Sequence, residues 1–136
     1  MKAPRYVLDT DICIYIVKRK PPAVLARLER MRPGDAALSV ITFGELQFGA
    51  VKSRKRDDVL RALDELTAVL PVLELPRDAG VHYGEIRAAL EGAGRVIGGN
   101  DLWIAAHARS MRLTLVTNNE REFSRVPGLA VENWAK

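Results

Sequence analysis

Three carboxylates, Asp9, Glu45 and Asp101, fall at positions where acids do chemistry rather than merely wet a surface. Most of the 17 Asp and Glu residues sit among basic residues on helical stretches. These three instead adjoin short apolar runs. Asp9 closes RYVL (residues 5–8), Glu45 comes just after ALSVI (37–41), and Asp101 opens a helical stretch that leads into LTLV (113–116). Asn119 follows that last run. Three acids converging on one point repel each other unless a cation sits between them. A donor set of oxygens alone, without paired His or Cys, suits Mg²⁺, with Mn²⁺ able to substitute, and does not suit zinc. Such an ion orients water, lowers its pKa and neutralises charge on a phosphoryl group.

Each position also has an ordinary structural role. Thr42-x-x-Glu45 reads as a capping box, in which Glu45 satisfies backbone N–H groups. Asp101 is a first-turn acid that the helix dipole favours by ~0.3–1 kcal/mol. Asn118 or Asn119 can cap the turn that follows, and Asp9 or Asp11 the first helix. The case for chemistry is therefore the combination. In an open parallel α/β sheet, sites form at the carboxyl edge of the strands. Asp9, Glu45 and Asn119 fall at that edge, and Asp101 joins them if its helix starts on the same side.

The elements that must position these groups alternate. Residues 5–8, 37–41, 72–75 and 113–116 are expected strands, with a short fifth at 129–131. Helices are expected over residues 12–17, 23–31, 42–53, 57–69, 78–90 and 102–109. Pro22 starts the second of these well, since its fixed φ suits a first helical turn. Residues 91–99, with Gly92, Gly94, Gly98 and Gly99, read as a loop. The strands are continuous apolar runs, as in sheets covered on both faces. The expected fold is a three-layer α/β/α domain with a central, mostly parallel sheet of four to five strands, and residues 1–136 form one domain.

Composition bounds the function class. The chain has 48% hydrophobic and 28% charged residues, the balance of a globular protein rather than a disordered one. No apolar run is long enough to span a membrane. Cys13 is the one cysteine, so no internal disulfide points to an oxidising compartment, and no signal-peptide pattern opens the chain. Cytoplasm is the expected location. A net charge of +4 suits an anionic partner, and Lys18-Arg19-Lys20 and Arg54-Lys55-Arg56 are compact basic clusters. Each follows an expected helix, where cations also favour the dipole.

The segments YVLDTDICIYIVKRK, LSVITFGELQFGAVKS, IGGNDLWIAAHARSMRLTLVTNNEREFSRVPGL and VENW resemble the VapC-type toxins of the PIN-domain ribonuclease family. The resemblance spans nearly the whole chain. It implies a PIN-like fold, a Mg²⁺-dependent endoribonuclease acting on single-stranded or loop RNA, a homodimer, and a cognate antitoxin that blocks the active site. Asp9 matches the family's first-strand acid, Glu45 its helix acid, and Asp101 the acid of its NDLxIAAHA motif. A fourth, commonly acidic, position falls on Asn119, and Asp11 stands where the family often has Asn. Thr10, Asp11, Thr117 and Asn119 are expected to support the metal's surroundings. The family also implies products with 5′-phosphate and 3′-hydroxyl ends. The subgroup with LVTNN includes enzymes that cut the anticodon loop of initiator tRNA, which makes tRNA the first substrate to consider.

Two other readings compete. Leu8-Asp9-Thr10-Asp11 resembles the DxD start of a haloacid-dehalogenase-like phosphatase, with Asp9 as nucleophile, although no later strand ends in paired acids. An inactive PIN-like RNA-binding scaffold is the non-enzymatic alternative, and a scaffold has no need of clustered acids. His82, His107 and Cys13 read as packing or surface residues. Trp103 and Trp134 suit either a partner interface or the core, and Tyr15, Phe43 and Phe48 suit core packing or base stacking.

Overall fold

Strand β1 (Tyr6–Leu8) is the centre of the molecule, and the acids are arranged around its carboxyl end. The computed structural model describes residues 3–136. After β1 come α1 (Thr10–Lys18), α2 (Pro22–Glu29), β2 (Ala36–Ser39), α3 (Val40–Lys52), α4 (Arg56–Val69) and β3 (Val72–Leu73). Then follow α5 (Arg77–Gly92), α6 (Gly99–Ser110), β4 (Thr114–Val116), α7 (Glu120–Phe123) and β5 (Val131–Glu132). The strands form one sheet in the order β3-β2-β1-β4-β5, and every pairing is parallel. The expected four- to five-stranded, mostly parallel sheet is thus five-stranded and wholly parallel.

Successive residues of a strand face opposite sides, and here each side meets a helical layer. Val7 and Leu115 point into a core shared with Ile86, Leu90, Ile104 and Phe123, from α5, α6 and α7. Leu8 and Val116 point into the other core, with Ile12, Val24, Leu46 and Leu66 from α1 to α4. Small residues set how closely the layers approach. Ala105, Ala106 and Ala108 of α6 are completely buried, as is Ala37 of β2. No helix among the described residues is long and apolar enough to cross a membrane.

Several boundaries differ from the sequence reading, among them the third strand, which is Val72–Leu73 rather than 72–75. The second strand ends at Ser39 rather than at residue 41, because Ser39 itself caps α3: its hydroxyl accepts from Ile41 N–H at 3.1 Å. The expected loop 91–99 shrinks to 93–98, since α5 runs to Gly92 and α6 starts at Gly99. Only Gly94 in that loop needs its missing side chain, at φ 67°. The last strand lies at Val131–Glu132, beyond the start expected for it.

Ser39 also shares a 2.7 Å hydrogen bond with Nδ1 of His107, which is completely buried on α6. Burial pushes the imidazole pKa down, so the ring is neutral near pH 7. This contact joins the start of α3 to α6, the two helices that carry Glu45 and Asp101. Ser39→Ala removes a cap and leaves a ring nitrogen short of a partner. It is expected to cost about 1–3 kcal/mol, read as a lowered urea midpoint at unchanged slope.

Candidate active site

Strand order reverses between β1 and β4, since β2 and β3 continue outward on one side of β1 while β4 and β5 lie on the other. Such a switch point leaves a crevice at the carboxyl ends of the two strands. Asp9 and Thr117, the residues immediately after those strands, bridge it: Thr117 Oγ1 donates to Asp9 Oδ2 at 2.8 Å. Asp9 Oδ1 accepts from Thr10 N–H at 2.7 Å. The Thr117 hydroxyl in turn accepts from Asn119 N–H at 2.9 Å, which fixes its direction. Asp9 occupies the N-cap position of α1 but is only 6% exposed, an expensive place for a plain cap.

Glu45 is not a capping-box acid. Ser39 takes the cap, and Glu45 then lies in the second turn of α3, clear of the helix's free N–H groups. Its carboxylate instead accepts from Thr10 Oγ1 at 2.6 Å and from Asn100 Nδ2 at 3.3 Å. Thr42 Oγ1 lies 3.3 Å from the same Thr10 hydroxyl. Glu45 is thereby held towards the ends of α1 and α6.

Asp101 stands in the first turn of α6, directly beside Glu122 of α7. Burial, the hydrogen bond to Glu122, and the charges of Glu122, Asp9 and Glu45 together push its carboxyl up to about 8. Asp9 is pushed up to about 7, first by burial, then by the Asp11 charge, with Glu45 adding less and the Thr117 and Thr10 hydrogen bonds opposing. These values tie Asp9, Glu45, Asp101 and Glu122 into one electrostatic cluster. Asp11 accepts from Asn118 N–H at 3.2 Å through Oδ2. Its Oδ1 is buried without a hydrogen-bond partner among the described residues, and its carboxyl is raised chiefly by burial.

The structure thus brings Asp9, Thr10, Asp11, Glu45, Asp101, Thr117 and Asn119 to one edge. Sequence reasoning missed Glu122 and Asn100, and offered Asn118 only as a cap. Asn119 does not stand in for a fourth acid; its Nδ2 donates to Glu122, whose other oxygen accepts from Gly98 N–H at 3.2 Å. The acid that fills the corner comes three residues later, one helical turn beyond Asn119. That spacing was the available signal.

The donors fit a hard divalent cation in kind: only oxygens, mutually repelling, one of them buried and unpaired. Among the described residues no three His, Cys, Asp or Glu side chains already surround a common point at ligating spacing. The acids lean instead on Thr10, Asn100, Thr117 and Asn119.

Comparison with known proteins agrees with this geometry. Residues 6–129 match the PIN domain. The chain is 41% identical to ribonuclease VapC2 of Rickettsia felis, over 96% of this chain and 98% of that protein. It is also 41% identical to the tRNA(fMet)-specific endonuclease VapC of Shigella flexneri, again over 96% and 98% of the two chains. The crystal structure of DNA-bound VapBC from Salmonella typhimurium superposes with a TM-score of 0.91 at 38% identity, covering 96% of this chain and 98% of that one. The PIN match over residues 6–129 stands against the phosphatase reading built on Asp9-Thr10-Asp11. With the acids at the switch point of a wholly parallel sheet and this similarity along nearly its full length, the chain belongs to the PIN-domain family, among its VapC-type toxins.

Proposed function

We propose that the protein is a Mg²⁺-dependent endoribonuclease toxin, with Mn²⁺ able to substitute, that cuts single-stranded or loop RNA and is neutralised by a cognate antitoxin. The observation that carries this reading is the carboxylate cluster at the β1/β4 switch point, in which Asp9 is pushed up to about 7 by burial and the charges of Asp11 and Glu45, and Asp101 to about 8 by burial, Glu122 and the charges of Asp9 and Glu45. The names of the relatives support the nuclease and its RNA substrate.

In this reading Asp9, Asp101 and Glu45 hold the cation. When bound, a divalent ion supplies Lewis acidity to the phosphoryl oxygens and makes a water molecule acidic. The chain's own groups do the rest. Thr117 and Thr10 fix both oxygens of Asp9, so that its carboxylate cannot rotate away from the crevice. Thr10 and Asn100 hold Glu45 in the same way. Asn119 orients Glu122 against Asp101, and one carboxylate of the cluster accepts the proton of the attacking water. Asp11 anchors the turn at Asn118. Cleavage in this manner leaves 5′-phosphate and 3′-hydroxyl ends. The proposal includes one domain over residues 1–136, a homodimer, and work in the cytoplasm, where the RNA is.

Initiator tRNA is the first substrate to test, because two relatives, from Shigella flexneri and Salmonella typhimurium, are tRNA(fMet)-specific endonucleases. Mapping new 5′-phosphate ends in cellular RNA after brief induction without antitoxin is expected to show one dominant cut in the anticodon loop of initiator tRNA. Uniform degradation of all RNA overturns the tRNA assignment. Cleavage that persists undiminished in EDTA overturns the metal-dependent reading.

A further inference from the structure

Two grooves reach the carboxyl edge at consecutive residues, Asn118 and Asn119. Asn118 lines the first, of about 480 Å³, together with Tyr15, Lys18, Lys20, Pro21 and Ala135. Asn119 lines the second, of about 600 Å³, together with Gly98, Arg121, Glu122 and Arg125. Asn118 is also the residue whose N–H binds Asp11, and Asn119 the one whose amide binds Glu122. Each groove thus adjoins one acid of the cluster, Asp11 at the first and Glu122 at the second, and each carries two basic side chains.

The charge of the first groove is set by local backbone. Arg19 ends α1 in the left-handed conformation, at φ 60°, and the chain turns back so that Lys20 N–H donates to Tyr15 O at 3.1 Å. Lys18 and Lys20 then flank one groove, and neither forms an ion pair among the described residues. The Tyr15 hydroxyl accepts from Asn118 Nδ2 at 3.0 Å, and Asn118 Oδ1 accepts from Asn133 Nδ2 at 3.0 Å. Tyr15 and Asn118 are thus held in place beside the lysines, each with a donor proton left over. Two free ammoniums and two fixed neutral donors beside a carboxylate site suit a phosphate group, not another cation.

We infer that a single RNA strand lies across both grooves, with phosphates next to the scissile linkage held by Lys18 and Lys20 on one side and by Arg121 and Arg125 on the other. This rests on the ribonuclease reading and adds the path of the strand to it. The second basic cluster, Arg54-Lys55-Arg56, takes no part. It lies at the far end of the 13-residue helix α3, about 20 Å along its axis from the strand end where the acids gather.

The test is binding of a fluorescent single-stranded RNA in the Asp101→Asn background, where cleavage does not interfere, titrated over a range of salt. Wild-type cleavage of the same RNA is followed in parallel. Lys18→Ala/Lys20→Ala is expected to make the slope of log affinity against log salt shallower by about 1.4, the release of two phosphates' counterions, and to weaken binding on the order of tenfold near 0.1 M salt. Arg121→Ala is expected to change the slope by about 0.7. Arg54→Ala/Lys55→Ala leaves affinity and slope unchanged. If the lysine variant keeps the parental affinity and slope while the wild type cuts the RNA, the strand path is wrong and the ribonuclease reading stands. The path is equally overturned if the lysine variant loses affinity only for the antitoxin. If the wild type neither binds nor cuts RNA, the ribonuclease reading itself fails.

Discussion

Replacing Asp101 by Asn is expected to lower RNA cleavage by two to three orders of magnitude while making the metal-free protein more resistant to heat. The first effect follows from the site. Asp101 is one of the oxygens proposed to hold the cation, and an amide supplies no charge to hold it. Losing that stabilisation of the transition state is worth about 3–4 kcal/mol. The second effect follows from the repulsion within the cluster. Asp101 is half-buried against Glu122, with the charges of Asp9 and Glu45 nearby, and its carboxyl sits at about 8 because ionising it there is costly. An amide at that position donates to Glu122 as the protonated acid does, without ever acquiring a charge. At pH 8 the variant should melt a few degrees higher than the wild type in EDTA; the gain should be smaller at pH 5.5 and vanish only near pH 4, where the folded and unfolded chains both carry the proton. Scanning calorimetry at the two pH values decides it. A variant that is less stable at pH 8, or one that still cuts RNA at the wild-type rate, shows that Asp101 is only a helix-end acid.

A divalent cation should stabilise the wild type, and should do so more strongly as pH rises. The folded-state carboxyls of Asp9 and Asp101, at about 7 and about 8, lie above the ordinary 3.8 of the unfolded chain. Between these limits the folded protein keeps protons that the unfolded chain has released. The contribution of these groups to stability is therefore fully present below pH 4 and is lost as pH rises through 7 and 8. A cation takes the place of those protons, and protons compete with it. At a hundredfold excess over Kd, Mg²⁺ binding to the folded state alone adds about 2.7 kcal/mol, roughly 10 °C in Tm for a chain of this size. The shift is expected to be largest near pH 8 and small near pH 5.5. A Mg²⁺ shift that is equal at both pH values, or absent at both, means that the cluster does not bind the ion.

The layered fold was legible because each strand is a short apolar run and each connection is helical, a pattern that only a covered parallel sheet accommodates. The edge of the sheet was legible for the same reason: Asp9 and Thr117 follow strands directly, and no tertiary knowledge is needed to place them. Glu45 was harder. Ser39 and Thr42 both make good helix caps, and local pattern cannot choose between them. The structure uses Ser39, whose hydroxyl also meets the buried His107, a contact 68 positions away in the chain. Glu122 was obscured because its helix has only four residues, two of them Glu, and only the one-turn spacing from Asn119 singles out the second. Trp134 was ambiguous between partner and core. It is 1% exposed, set edge-on to Tyr6 and capped by Arg27, an arrangement created by the return of the chain over β1 and α2.

The central position of β1 has a consequence for a growing chain. Its partner on one side, β2, is made soon after it, but its partner on the other, β4, is not complete until residue 116. The hydroxyl that holds Asp9 and the acid beside Asp101 come later still, at Thr117 and Glu122. A chain cut short between Glu45 and Thr114 therefore carries Asp9 and Glu45 but no crevice to hold them. The site is assembled only once the segment from Thr114 to Glu122 has joined β1, so the order of synthesis separates the making of the acids from the making of the crevice that holds them.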